Sequence, residues 1–107
     1  EYMGVTPYVD MDKGIKDCDV VIMLRLQNER MNSSFIPDEH EYYNLYGFSP
    51  KRLELISKKG IVMHPGPVNR GVEISSEVAD GDRSVILEQV SNGIAVRMAI
   101  LSLSMQP

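Results

Sequence analysis

The run Asp19-Val20-Val21-Ile22-Met23-Leu24 decides how this chain is read. Its apolar residues follow one another without alternation, as in a strand covered on both faces, which predicts a parallel sheet in an α/β domain. A shorter run of the same kind, Ile61-Val62-Met63, supplies a partner. Between them, Ser49-Pro50, the stretch from Lys51 to Lys59, and Gly60 predict a helix. Ser49 caps the first free N–H groups, Pro50 fits the first helical position, and Gly60 suits a left-handed residue after the end. Leu53 and Ile56 share one face, while Lys58 and Lys59 complement the negative end of the helix dipole. Strand, helix and strand form a βαβ unit whose crossover is expected to be right-handed.

Outward from this unit the pattern weakens on one side and strengthens on the other. A short helix from Asp12 to Asp17 is expected, with Gly14 lowering its stability. From Ser84 to Met105, Ile86, Val90, Ile94, Met98, Leu101 and Met105 recur at spacings of three and four, which predicts an amphipathic helix. Asn92-Gly93 resembles a turn locally, but the periodicity stays in phase across it. One continuous helix is therefore predicted, with Gly93 where another element packs closely. Leu26 to Phe48 has no clear period and reads as a long loop, with Phe35, Tyr42, Tyr43 and Tyr46 arguing against a disordered linker.

The chain has 107 residues, enough for one domain around a single core. Eleven Lys and Arg against fifteen Asp and Glu give a net charge of −4. That balance argues against nucleic acid or a membrane surface as partner, since neither finds a basic face. No apolar run approaches the roughly 20 residues that span a bilayer. A composition 43% hydrophobic and 24% charged suits a globular protein. Cys18, the single cysteine, cannot form an internal disulfide, so a reducing, cytoplasmic setting is expected. Glu1-Tyr2-Met3-Gly4 carries no secretory signal and no initiator Met, so a fragment of a longer chain is expected.

In an open parallel sheet, ligands bind beyond the carboxyl ends of the strands. The first strand runs out into Arg25-Leu26-Gln27-Asn28-Glu29-Arg30, the second into His64-Pro65-Gly66-Pro67-Val68-Asn69-Arg70-Gly71. Arg25 and Gln27 alternate with Leu26 and are expected to point to one side. A guanidinium fork beside an amide suits a small carboxylate. The Pro65-Gly66-Pro67 turn offers few N–H donors, so it presents carbonyl oxygens, which suit an amino group. A small ligand with carboxylate and amino functions fits this pattern.

Met23-Leu24-Arg25-Leu26-Gln27 with Glu29-Arg30, followed by Met63 through Ile74 around His64-Pro65-Gly66-Pro67, resembles the aspartate carbamoyltransferases. Gln89-Val90-Ser91-Asn92-Gly93, with Arg97-Met98-Ala99 after it, is similar to that family's C-terminal helix. The sister ornithine enzymes usually carry Ser-Met-Gly after the first strand and a Cys in the second motif. This chain has Arg25-Leu26-Gln27 and no Cys there, which favours aspartate.

The resemblance implies an α/β fold, part of a doubly wound, Rossmann-like domain with a long C-terminal helix. Residues 1–107 would form the C-terminal portion of the aspartate-binding domain, without the carbamoyl-phosphate domain and its catalytic His. The implied reaction transfers the carbamoyl group of carbamoyl phosphate to the α-amine of L-aspartate, a step of pyrimidine biosynthesis. Arg25 and Gln27 would hold aspartate, and Pro65, Gly66 and Pro67 would contact carbamoyl phosphate. Glu29 and Arg30 would brace the loop, which would close over the site. No residue of this chain would be catalytic, and no cofactor or metal is implied. The partners implied are the remainder of the polypeptide and two further subunits of a homotrimer, so the isolated chain would be inactive.

Simpler roles are expected for the remaining candidates. His64 braces the turn, His40 is a solvated loop residue, Cys18 packs beside a buried strand, and the methionines at helical spacing belong to the core. Two alternatives remain: an ornithine-type or diverged carbamoyltransferase, and a non-enzymatic α/β binding module. A dinucleotide-binding domain is disfavoured, since no Gly-x-Gly-x-x-Gly follows either strand.

Overall fold

A computed structural model of the chain describes residues 3–26 and 38–106. The two apolar runs form β1 (Val20–Ile22) and β2 (Ile61–Met63), paired in parallel with Val21 opposite Val62. The ladder extends past both ends of β1, from Ile61 N–H to Asp19 O and from Met23 N–H to Met63 O. On its other edge β2 is joined by the segment before the last helix, where Val62 N–H donates to Arg83 O and Val85 N–H donates to Val62 O. Val21 and Val62 are buried, whereas Val20 and Ile22 stay exposed. The expected cover on both faces of β1 is thus present on one face only among the described residues.

Three of the intervening elements are short. α1 (Met11–Ile15) is capped by Asp10, whose carboxylate accepts from Asp12 N–H, and it buries Ile15. It ends earlier than expected, because Lys16 turns to a ψ of 127° and Asp17 then adopts a φ of 61°. α3 (Pro50–Leu53) begins as predicted, with Pro50 in the first turn and Ser49 Oγ accepting from Arg52 N–H. It does not run to Lys59. Gly60 is not left-handed either: it matters for space, since a Cβ there would lie 2.7 Å from Ile56 Cδ1 and 2.9 Å from Ser57 O. α4 (Ser76–Ala79) is capped by Ser75 and buries Val78 and Ala79.

The expected loop contains a helix, α2 (Glu39–Tyr46). Asp38 caps it by accepting from Glu41 N–H at 2.8 Å, a signal present in Asp38-Glu39-His40-Glu41. His40 is therefore an exposed helix residue and not a loop residue.

α5 (Ile86–Ser104) is one unbroken helix through Asn92-Gly93, as the periodicity predicts. Nothing lies within 4 Å of a Cβ built on Gly93, so close packing is not what retains that glycine here. Ile86 is its one buried residue, and Ile94, Met98, Leu101, Leu103 and Met105 are exposed. The methionines of this stripe are hence surface residues in this chain, while Met11 and Met23 do pack against the core. With 19 residues and a mean hydropathy of 1.2, α5 also reaches the length and composition of a membrane-crossing helix, contrary to the expectation from uninterrupted apolar runs. Glu88 and Arg97 are its charged residues.

The core gathers Ile15, Val21, Phe48, Ile56, Val62, Ile74, Val78, Ala79 and Ile86, with Cys18 packed against it. Val21 of β1 and Val62 of β2 belong to this core, which anchors both strands.

Candidate functional site

The two strand exits meet through a buried carboxylate. Glu73 has no exposed surface, although it lies between the apolar Val72 and Ile74. Its Oε1 accepts from Leu26 N–H at 3.2 Å. Its Oε2 accepts from Asn69 N–H at 2.6 Å and faces His64 Nε2 at 3.1 Å. Asn69 completes the grip, since its side-chain Nδ2 donates to Leu26 O at 2.7 Å. Both backbone groups of Leu26 are therefore held by the segment that follows β2. Arg25 is the residue immediately before this clamp, and it is exposed.

His64 organises the turn from below. Its backbone N–H donates to Gln89 Oε1 of α5 at 2.9 Å, and its Nδ1 accepts from Gly66 N–H at 2.8 Å. An acceptor nitrogen carries no proton, so the ring proton sits on Nε2 and is donated to Glu73. His64 is wholly buried and its polar atoms are all engaged, so it braces the turn, as expected. Gly66 holds a φ of +70°, which a side chain rarely tolerates, and a Cβ there would meet Val90 Cγ2 of α5 at 3.7 Å. Pro65 and Pro67 are exposed. The turn thus offers no N–H at two of its three positions, and the third is spent on His64.

Tyr42 of α2 also stands near this centre. Burial, then the Glu73 carboxylate, then Tyr46 push its phenol up from the ordinary range, so it stays neutral. The far end of α2 is held by Arg52. Its Nη1 donates to Tyr43 O and Gly47 O, its Nη2 to Asn44 O and Leu45 O, and its Nε to Asp12 Oδ1 at 2.7 Å. The Nη contacts close the C-terminus of α2, and Nε links that end to Asp12 of α1. Phe48 N–H then donates to Glu73 O, which ties this end to the same segment.

Of the residues expected at a site, the structure brings Arg25 and the Pro65-Gly66-Pro67 turn to the neighbouring strand exits. Gln27, Glu29 and Arg30 lie outside the described residues. Asn69, Glu73, Gln89 and Arg52 carry no such role in their local sequence context, and the structure supplies it. For Glu73 the available signal was a carboxylate flanked by apolar residues on both sides. A surface hollow of about 400 Å³ is lined by Val68, Arg70, Asp80, Ile86 and Leu87, and it includes neither Arg25 nor residues 64–67. Among the described residues no group of three or more His, Cys, Asp or Glu is arranged to hold a metal ion.

Residues 3–104 match the domain family described as aspartate/ornithine carbamoyltransferase, Asp/Orn binding domain. Among solved structures, the fold is similar to ornithine carbamoyltransferase from Pyrococcus furiosus, with a TM-score of 0.75 at 22% identity over 88% of this chain and 30% of that one. Ornithine transcarbamoylase from Giardia lamblia is similar at 26% identity and a TM-score of 0.70, over 86% of this chain and 28% of that one. Aspartate transcarbamoylase from Trypanosoma cruzi, in complex with carbamoyl phosphate, is similar at 32% identity and a TM-score of 0.69, over 84% of this chain and 27% of that one. The chain spans about 30% of the length of these structures.

Proposed function

Because the chain belongs to the aspartate/ornithine carbamoyltransferase family, in its Asp/Orn-binding domain, we propose that it forms the amino-acid-binding part of an aspartate carbamoyltransferase. The observation that carries this reading is the placement of Arg25 directly before Leu26, which is clamped to the segment bearing the Pro65-Gly66-Pro67 turn. Arg25 supplies a planar two-donor fork for a carboxylate of aspartate, with Gln27 as its second contact. Carbonyls of the turn accept from the amino group of carbamoyl phosphate.

In this mechanism the α-amine of L-aspartate attacks the carbonyl carbon of carbamoyl phosphate. The tetrahedral intermediate expels phosphate, the nitrogen loses its proton, and N-carbamoyl-L-aspartate remains, a precursor for pyrimidine biosynthesis. No covalent bond to the protein is needed, so rate derives from positioning and from electrostatic stabilisation. The phosphate-binding half lies elsewhere in the same polypeptide, the working assembly is a homotrimer, and the setting is the cytoplasm. The 107-residue chain alone is inactive.

Two observations support aspartate over ornithine: Arg25-Leu26-Gln27 after β1, and 32% identity to the Trypanosoma cruzi aspartate enzyme against 22% and 26% for the two ornithine enzymes. The matched domain family takes in both aspartate and ornithine enzymes, which supports the second reading, an ornithine-type carbamoyltransferase. Steady-state assays of the full-length protein with carbamoyl phosphate and either L-aspartate or L-ornithine decide between them. Turnover with ornithine and none with aspartate would reverse the assignment.

A further inference from the structure

We infer that Asn69 is a positioning residue, which sets the backbone from which Arg25 reaches the amino-acid substrate. This rests on the proposed reading of Arg25 and adds a residue to it. The geometry is specific. Asn69 Nδ2 donates to Leu26 O at 2.7 Å, across 43 positions of sequence, while Glu73 takes Leu26 N–H and also Asn69 N–H. Leu26 is thereby fixed at both ends of its peptide geometry by one short segment. A fork that must meet two carboxylate oxygens tolerates little displacement, because a shift of about 1 Å at a binding group can cost on the order of 100-fold in rate. Asn69 touches no reacting atom in this scheme. It acts through Leu26 on Arg25, whereas His64 and Gly66 act on the turn.

Removing the Asn69 amide leaves its backbone bond to Glu73 in place, so the turn and its carbonyls remain as they are. The expected consequence is selective. In the full-length protein, Asn69→Ala raises KM for the amino-acid substrate about tenfold, consistent with loss of one partly buried hydrogen bond and a relaxed Arg25. The dissociation constant for carbamoyl phosphate, titrated directly, stays within about twofold. Asn69→Asp, isosteric but with an oxygen facing Leu26 O, gives the same selective loss and serves if the alanine variant folds poorly. The substrate in these assays is whichever of L-aspartate and L-ornithine the wild type carbamoylates.

A cycle with Arg25→Ala separates positioning from general support. If Asn69 works through Arg25, its substitution has almost no further effect once Arg25 is gone. An undiminished loss on the Arg25→Ala background would overturn the inference, as would folded Asn69 variants with KM within twofold of wild type. An Arg25→Ala protein with unchanged KM would instead strike the reading of Arg25 itself, and the inference with it. Thermal unfolding of each variant establishes that a folded protein is being compared.

Discussion

His64 Nε2 lies 3.1 Å from Glu73 Oε2, and neither side chain has any exposed surface. Because His64 Nδ1 is occupied as an acceptor from Gly66, the contact is a neutral imidazole donating to a carboxylate. One acid thus joins the exit of β1, the turn after β2 and, through His64 and Gln89, the first part of α5. Buried carboxylates are tolerated only when their oxygens are satisfied, and this one accepts three hydrogen bonds.

Replacing Glu73 is accordingly expensive. Glu73→Gln keeps the shape but exchanges one acceptor oxygen for an NH2 group, so one of its three donors meets another donor. The expected loss of stability is about 1–3 kcal/mol, and Glu73→Ala loses more by orphaning all three. Urea unfolding of the full-length protein measures it. A change below about 0.5 kcal/mol for the alanine variant would show that the network holds nothing.

Arg52 makes a second such junction, between α1, α2 and α3. Its side chain is 16% exposed, and its guanidinium donates to four carbonyls and Asp12 at once. Lysine has neither the planar fork nor enough donors in the right directions. Arg52→Lys is expected to cost about 1–2 kcal/mol and Arg52→Ala about 2–3 kcal/mol. Amide hydrogen exchange should quicken across Glu39–Tyr46 while Ile61–Met63 stays protected. Uniform acceleration in both would mean that Arg52 supports the whole fold and not this helix end.

How much of this was legible in advance follows from the range of each interaction. The parallel pairing of Val20–Ile22 with Ile61–Met63, the Ser49 cap, and the continuity of α5 are written in local pattern, and they are present. Helix length after Pro50 is not local: Gly60 must press against Ile56 and Cys18, and the chain turns early to permit it. α2 has little local signature, because its face is aromatic and charged with a weak period, although Asp38 and Glu41 mark its start. At the site, Arg25 and the turn announce themselves by residue type beyond strand ends. Glu73 and Asn69 do not, because their partners at Leu26 lie 47 and 43 positions away.

Arg70 and Asp80 form a two-bond pair at 2.7 and 2.8 Å on the surface. The hydrogen bonds from Arg70, with its charge, hold the Asp80 carboxyl below the usual carboxylate range. A depressed folded-state value means that the pair's stabilisation is present above the ordinary carboxylate pKa and fades as pH falls through the folded one. Asp80→Asn should thus be slightly less stable than wild type at pH 7, with the difference vanishing at lower pH and in 1 M salt. Thermal melts across pH 2–7 at two salt concentrations test this, and a difference that grows on acidification would reverse the sign.

The apolar stripe on α5 has a direct consequence. Leu101, Leu103 and Met105 are 61–82% exposed in this chain, an extent that marks an interaction surface. Expressed alone, residues 1–107 should bind a hydrophobic dye and self-associate with rising concentration. If the rest of the proposed carbamoyltransferase covers this helix, amides and side chains of Ile86–Ser104 should be protected from exchange and oxidation in the full-length protein. Met98 and Met105 give a ready readout, since rapid sulfoxide formation there in the full-length protein would show that the stripe stays open.

Arg25 carries the most specific prediction. If its planar fork grips a carboxylate of aspartate, lysine keeps the charge but loses one hydrogen bond and the fixed geometry. A charge-assisted hydrogen bond is worth roughly 1.5–3 kcal/mol, so Arg25→Lys in the full-length protein should lower kcat/KM for aspartate about 10- to 100-fold. Arg25→Ala should cost more, because the substrate carboxylate then enters the site without a partner. Carbamoyl phosphate, whose phosphate is held outside these 107 residues in this scheme, should bind both variants nearly as well as wild type when titrated without aspartate. The contrast between the two substrates is the informative quantity. Equal losses for aspartate and carbamoyl phosphate would mean that Arg25 supports the exit of β1 and does not read the amino acid.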